Sequence, residues 1–301
     1  MTILDEIAQK TKERVEAQKR SVPERELRAQ VADLIARAEA ETKAGEKAET
    51  KAETKAETQA ETQTENKAGG NVAPLYGGGK AFEEALAKEG MSFICEVKKA
   101  SPSKGVIAQE FPYLEIAKEY EKAGASAMSI LTEPLYFKGS DAYLREIRKQ
   151  VSIPILRKDF TVDPYMLYQA KEMGANAVLL ICALLSKMEL SEYLGLAREL
   201  ELAALVETHD EQEVEMALSS GARIIGVNNR NLKDFTVDIQ NSVRLRELVP
   251  RDRLFVSESG MKTREDIARL EQGGVNAVLI GETLMRSPDK KKMLDELAGH
   301  A

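Results

Sequence analysis

Tryptophan is absent from this 301-residue chain, and aromatic residues make up only 5% of it. Proteins that hold single-stranded nucleic acid stack its bases on aromatic faces, so that class of function is disfavoured. A basic excess is missing as well: 50 acidic side chains stand against 43 basic ones, for a formal charge of −7. No nucleic-acid partner is expected from such a balance, although it leaves room for a local basic pocket that takes a small anion. There are only two cysteines, Cys95 and Cys182, too few for a disulfide framework. Both sit inside apolar runs, which points to reduced, buried thiols and a cytoplasmic chain. The two histidines, His209 and His300, are far apart in sequence, so no metal site is expected. Long apolar runs are lacking too. The longest, around Ala177–Leu185, is too short to span a bilayer. The opening MTILDEIAQKTKER has no signal-peptide core. No membrane partner is expected.

What is present divides into three parts. Residues 1–40 carry two amphipathic helical patterns: Leu4, Ile7, Ala8, Thr11 and Val15 form one stripe, and Leu27, Val31, Leu34 and Ile35 form another after Pro23. Residues 41–70 contain a low-complexity repeat of Ala-Glu-Thr-Lys/Gln, without Leu, Ile, Val, Met or an aromatic. Within the repeat, Glu49, Glu53 and Glu57 are i,i+4 neighbours, as are Lys47, Lys51 and Lys55. Like charges at that spacing repel on a helix, so a solvated insertion without regular structure is expected. GGGK at Gly77–Lys80 lacks the spacing of a phosphate-binding loop and reads as a hinge.

Residues 71–301 have another rhythm. Eight short β-branched runs alternate with charged amphipathic stretches: Phe93–Val97, Met128–Thr132, Ile155–Lys158, Ala177–Ile181, Ala204–Glu207, Ile224–Asn228, Leu254–Glu258 and Ala277–Ile280. Strand–helix alternation with continuously apolar strands predicts a parallel sheet, and eight such units predict a (β/α)₈ TIM barrel, an α/β fold. A doubly wound sheet is the alternative, but its glycine fingerprint is missing after the first strand. An internal echo supports the barrel. MGANAVLLI at Met173–Ile181 returns as GGVNAVLIG at Gly273–Gly281, and AGASAMSIL at Ala123–Leu131 resembles SGARIIGVN at Ser220–Asn228.

Active sites of this fold lie at the C-terminal strand ends. Those ends read Glu96 and Lys98, Thr132, Lys158 and Asp159, Glu207, Asn228 and Arg230, Glu258 and Ser259, then Gly281. Glu96 and Lys98 are two apart, so both face the same way. Gly260 and Gly281 open backbone N–H groups to an anion, and Arg230 adds a fork of donors. The residues therefore suggest a small phosphorylated ligand handled by lysines and glutamates, with no metal and no redox cofactor.

These ends also carry a specific resemblance. Glu96-Val-Lys98-Lys-Ala-Ser101-Pro-Ser103-Lys-Gly105, Leu131-Thr-Glu133 with Phe137, Ile155-Leu-Arg-Lys158-Asp159-Phe160, Gly226-Val-Asn228-Asn-Arg230-Asn-Leu232, Glu258-Ser259-Gly260 and Leu279-Ile-Gly281 resemble, in order, the motifs of indole-3-glycerol-phosphate synthases. The resemblance implies a carboxy-lyase of tryptophan biosynthesis that closes an indole ring on 1-(2-carboxyphenylamino)-1-deoxyribulose 5-phosphate. In that reading Lys158 is the general acid, and Lys98 steers the substrate carboxylate or exchanges the role. Glu207 is the base in dehydration and Glu96 holds Lys98. Glu258 and Asn228 position the substrate, and Ser259 lies against it. Ser101 binds the anthranilate carboxylate, Phe137 and Phe160 wall the ring, and Arg230 holds the phosphate with Gly260, Gly281 and Glu282. A monomer is expected, without a second fused domain. Another phosphosugar barrel, an isomerase or a Schiff-base aldolase using Lys158, is the alternative, as is an inactive scaffold.

Overall fold

The computed structural model describes residues 2–56, 78–231 and 234–300. Among these, eight parallel strands close into a barrel in sequential order: β1 (Ser92–Val97), β2 (Ala127–Leu131), β3 (Ile155–Lys158), β4 (Ala177–Ile181), β5 (Ala203–Thr208), β6 (Ile224–Asn228), β7 (Leu254–Glu258) and β8 (Ala277–Ile280). Ser92 of β1 pairs with Ala277 of β8, which seals the ring. The doubly wound alternative is thereby excluded. Among the described residues no helix is long and apolar enough to cross a membrane.

A strand sends alternate side chains to opposite faces, and that period sorts the barrel. On β1, Phe93, Cys95 and Val97 join the cluster between strands and helices, while Ile94 joins the cluster inside the barrel. Leu156, Leu205, Val256 and Leu279 fill the interior with it. The next inward positions, two residues on, are Glu96, Lys158, Glu207, Glu258 and Gly281. The polar mouth is thus the layer directly above the apolar core.

The interior is closed at its lower end by α3 (Gly78–Leu86), whose Phe82 and Leu86 are fully buried among those side chains. This helix begins within the GGGK segment, so Gly78 and Gly79 are no hinge, while Gly77 lies outside the described residues. A Cβ at Gly79 would stand 2.2 Å from the backbone nitrogen of Ala203. The glycine therefore lets the helix seat against β5, and its N–H donates to the Glu201 carbonyl at 2.6 Å.

Above the barrel lies α1 (Ile3–Ser21), started by a capping box between Thr2 and Asp5. Its buried stripe is Leu4, Ile7, Ala8, Thr11 and Val15, as the periodicity predicts. The second helix, α2 (Glu24–Ala56), packs through Leu27 and Val31. It differs from expectation in running on through the first part of the repeat, where no regular structure was expected. The remainder of the repeat, 57–70, lies outside the described residues. A helix already nucleated by packing extends at little cost per residue. Ala, Glu and Lys favour extension, Glu39 and Lys43 add an ion pair at 3.9 Å, and like-charge pairs cost only ~0.5 kcal/mol each.

The sequence echo has a structural counterpart. Gly124, Gly174, Gly221 and Gly274 end the helices that precede β2, β4, β6 and β8, all with positive φ. The side chain of Asn176, ahead of β4, accepts the N–H of Ile155 at 3.0 Å. That of Asn276, ahead of β8, accepts the N–H of Phe255 at 2.9 Å. Arg148 and Arg246 likewise donate to the carbonyls of Val151 and Val249.

The tight seat of α3 generates a test. Gly79→Ala forces a methyl into the β5 backbone and should cost about 1–3 kcal/mol, as overpacking does, read as a lower urea midpoint. An unchanged midpoint would show that α3 does not close the barrel as described.

Candidate active site

Fourteen residues were given a catalytic or binding role from the sequence, and all fourteen line one cavity of about 840 Å³ at the C-terminal end of the barrel. Its floor is a charged cluster. Lys158 Nζ lies 3.1 Å from Glu207 Oε2 and 3.0 Å from Glu258 Oε2. Glu96 and Lys98 form an adjacent ion pair. Asn228 donates from Nδ2 to Glu207 Oε1 at 3.2 Å, and its own Oδ1 accepts the N–H of Arg230 at 3.0 Å.

Two glycines make room for this cluster. A Cβ at Gly226 would stand 2.4 Å from Glu258 Oε1, and one at Gly281 would stand 2.2 Å from Glu96 Oε2. Gly281 thus has a packing role besides any contact with an anion.

The charges are strongly coupled. Burial works against the Lys158 ammonium, but the carboxylates of Glu258 and Glu207 outweigh it and hold the lysine above its ordinary range. Burial also works against ionised Glu207, and there Lys158 and His209 prevail, so its carboxyl titrates well below the usual range. Glu258 goes the other way, to about 7: burial raises it, and Glu207 and Glu96 add repulsion that Lys158 does not fully offset. The cluster thus favours the charged, proton-bearing form of Lys158 over the neutral amine that Schiff-base chemistry starts from.

The walls come from loops. Phe137 and Phe160 face each other with ring centroids 5.8 Å apart. Ser101 sits in a small hairpin of Ala100–Ser101 with Gly105–Val106, and Lys104 at its tip reaches Glu282 at 3.8 Å. Arg230 donates from its guanidinium to the Phe235 carbonyl at 3.3 Å. Ser259 and Gly260 have φ of 68° and 100°, which turns the chain sharply after β7. A buried set of Asn229, Ser242 and Ser257 ties this turn to the segment after β6: Asn229 Nδ2 donates to Ser257 Oγ at 2.9 Å and to the Ser259 carbonyl at 3.0 Å.

Several contributors escaped the sequence reading. Ile3, Leu4 and Ile7 of α1 line the cavity, so the N-terminal helix is part of its wall. Arg14 on that helix pairs with Asp159 at 2.8 Å, and Thr132 donates to the same carboxylate at 2.6 Å. Asp159 follows Lys158 directly, so the latch that holds α1 is one residue from the central lysine. Lys19 pairs with Asp163 at 2.6 Å, and the Tyr136 hydroxyl donates to Glu6 at 2.7 Å. His209 stands behind Glu207. The visible signal for α1 was its apolar stripe, which says that a surface is covered but not which.

The fold and cluster define a (β/α)₈ barrel that gathers buried lysines and glutamates at its C-terminal strand ends. The sequence profile of the family Indole-3-glycerol phosphate synthase matches residues 40–297. The Indole-3-glycerol phosphate synthase of Ruminiclostridium cellulolyticum is 60% identical over 221 residues, covering 73% of this chain and 85% of the relative. That of Lachnoclostridium phytofermentans is 55% identical over 216 residues, covering 72% and 80%. The chain belongs to the indole-3-glycerol phosphate synthase family. Among solved structures, a 3-hexulose-6-phosphate synthase aligns with TM-score 0.58 at 13% identity, covering 70% of this chain and 99% of the other, a likeness of fold alone.

The latch on α1 has a pH signature. Burial would raise Asp159, but the charges of Arg14 and Arg157 hold it below its ordinary 3.8. A carboxyl lowered on folding stabilises the protein above its unfolded value and loses that contribution as pH falls through the folded one. Arg14→Met should therefore lower the Tm at pH 7 by about 5 °C, and the gap to the parent should narrow below about pH 4. Equal melting at pH 7 would show that this pair does not hold the helix.

Proposed function

We propose that the barrel mouth closes an indole ring, converting 1-(2-carboxyphenylamino)-1-deoxyribulose 5-phosphate to indole-3-glycerol phosphate with loss of carbon dioxide and water. The observation that carries this reading is the Lys158 ammonium held between Glu207 and Glu258 at 3.1 and 3.0 Å. The enzyme is a carbon–carbon lyase of tryptophan biosynthesis.

The aromatic carbon that bears the carboxylate attacks the ketone carbon, and the ketone oxygen takes a proton from Lys158 as the bond forms. Carbon dioxide then departs, its bonding electrons return to the ring, and aromaticity is restored. Dehydration follows: the new hydroxyl leaves with a proton as water, and Glu207 removes a proton from the adjacent methylene carbon. The lowered basicity of Glu207 is due largely to Lys158. Once the lysine has given up its proton, that attraction is gone and Glu207 becomes the stronger base. The first step thereby prepares the last.

Lys98, paired with Glu96, steers the substrate carboxylate or supplies the second proton. Asn228 holds Glu207 and, with Glu258 and Ser259, orients the substrate chain. Phe137 and Phe160 flank the aromatic ring, and Ser101 meets its carboxylate. Arg230 and the backbone at Gly260, Gly281 and Glu282 hold the phosphate. The cavity is lined to completion by residues of one chain, and the proposed enzyme acts as a monomer. The free, buried thiols of Cys95 and Cys182 support a cytoplasmic setting.

Incubation with the carboxyphenylamino-deoxyribulose phosphate should produce indole fluorescence. Lys158→Met should lose at least about a hundredfold in kcat, the usual contribution of a general acid, while keeping the parent circular dichroism. Folded protein without turnover would refute the activity, and full turnover by the variant would refute the role of the lysine.

A further inference from the structure

His209 follows β5, two residues after Glu207, and its side chain is 17% exposed. Its Nδ1 lies 2.9 Å from Glu213 Oε2, and the same oxygen accepts the His209 backbone N–H at 2.8 Å. Asn241, on the helix Gln240–Arg246, donates to the His209 carbonyl at 3.0 Å. Ring and backbone are therefore both fixed. On the other side, Nε2 faces Glu207 Oε1 at 3.4 Å, close enough for ion pairing though not aligned as a hydrogen bond. A carboxylate oxygen only accepts, so a ring nitrogen facing one must carry a proton to be attracted. Both ring nitrogens face carboxylates.

We propose that His209 is a positioning residue, a buried imidazolium clamped by Glu213 that keeps Glu207 ionised and turned toward Lys158. The inference rests on the role of Glu207 in the proposed function. The surrounding groups agree. Glu207 approaches from β5. Glu213 approaches from the helix Glu211–Ser219, which Asp210 caps. The turn after β4 brings Cys182, whose thiol meets the Glu213 carbonyl at 3.6 Å. Burial disfavours the imidazolium, but the hydrogen bond to Glu213 and the charges of Glu207 and Glu213 raise the ring to about 10. The charge also balances the floor of the site, where Glu96, Glu207 and Glu258 otherwise outnumber Lys98 and Lys158. With a second cation against it, Glu207 does not take the proton of Lys158, which is left for the substrate.

The chain has two histidines, so ring-¹⁵N NMR reports His209 almost alone, and His300→Gln assigns the other signal. His209 should hold imidazolium shifts through neutral pH and lose its proton near pH 10. An ordinary histidine midpoint would overturn the proposal, and this readout needs no substrate. His209→Asn should raise the acid limb of kcat/KM by about one pH unit. That is a loss approaching tenfold at pH values below both limbs, recovering to the parent rate above the shifted limb, with KM little changed. An unmoved profile, or an equal loss at every pH, would overturn it. Glu213→Gln should move the same limb less and lower the NMR midpoint, and it carries the test if His209→Asn fails to fold. Absence of turnover in the parent would instead refute the proposed function and leave the NMR midpoint to judge His209.

Discussion

A buried ammonium must be neutralised where it stands, and the mouth of this barrel is arranged around that need. Lys158 projects inward above a fully apolar layer, where an unpaired charge would cost several kcal/mol. Glu207 and Glu258 meet it from two other strands. Two carboxylates around one lysine then need support of their own. Asn228 and His209 hold Glu207, and the missing side chain at Gly226 gives Glu258 its place. Glu96 and Lys98 form a second pair close enough to perturb the first, since Glu96 raises both Lys158 and Glu258. No member of the cluster has its properties alone, so a substitution at one position is felt as changed acidity at the others.

Much of this was legible in the sequence because two periods carry it. Residues two apart on a strand share a face, so Glu96 and Lys98 could be placed together, and charged residues ending apolar runs could be placed on one rim. The motif order supplied the family. What was not legible depends on contacts between distant segments. The stripe on α1 announced a buried face, yet only the structure joins Arg14 to Asp159. His209 looked like one of two isolated histidines, because its significance lies in Glu213, four residues on and across a turn. The repeat was misread over its first part because local like-charge repulsion was weighed without the helix already growing into it. Gly79 was misread because a hinge and a close approach use the same residue.

The two ends of the barrel solve opposite problems. Below, α3 fills the interior with Phe82 and Leu86, and the requirement is tight contact, which Gly79 permits. Above, α1 has to cover a cavity without filling it. It does so by a few apolar side chains over the opening and by charged pairs at its flanks, including Arg14 with Asp159 and Lys19 with Asp163. Polar latches outside a dry contact allow the cover to be positioned without being cemented.

The paired asparagines ahead of β4 and β8 lead elsewhere. Asn176 and Asn276 stitch equivalent strand starts with the same bond, and Arg148 and Arg246 serve matching turns beside them. At the opposite rim the two halves share almost nothing: β4 ends in Ile181 and Cys182, β8 in Gly281 and Glu282. The repetition is visible where these strands are anchored and absent at the rim that carries the charged cluster. Each half is thus a common chassis carrying its own instrument panel. The anchoring end can stay the same while the rim is changed one strand at a time.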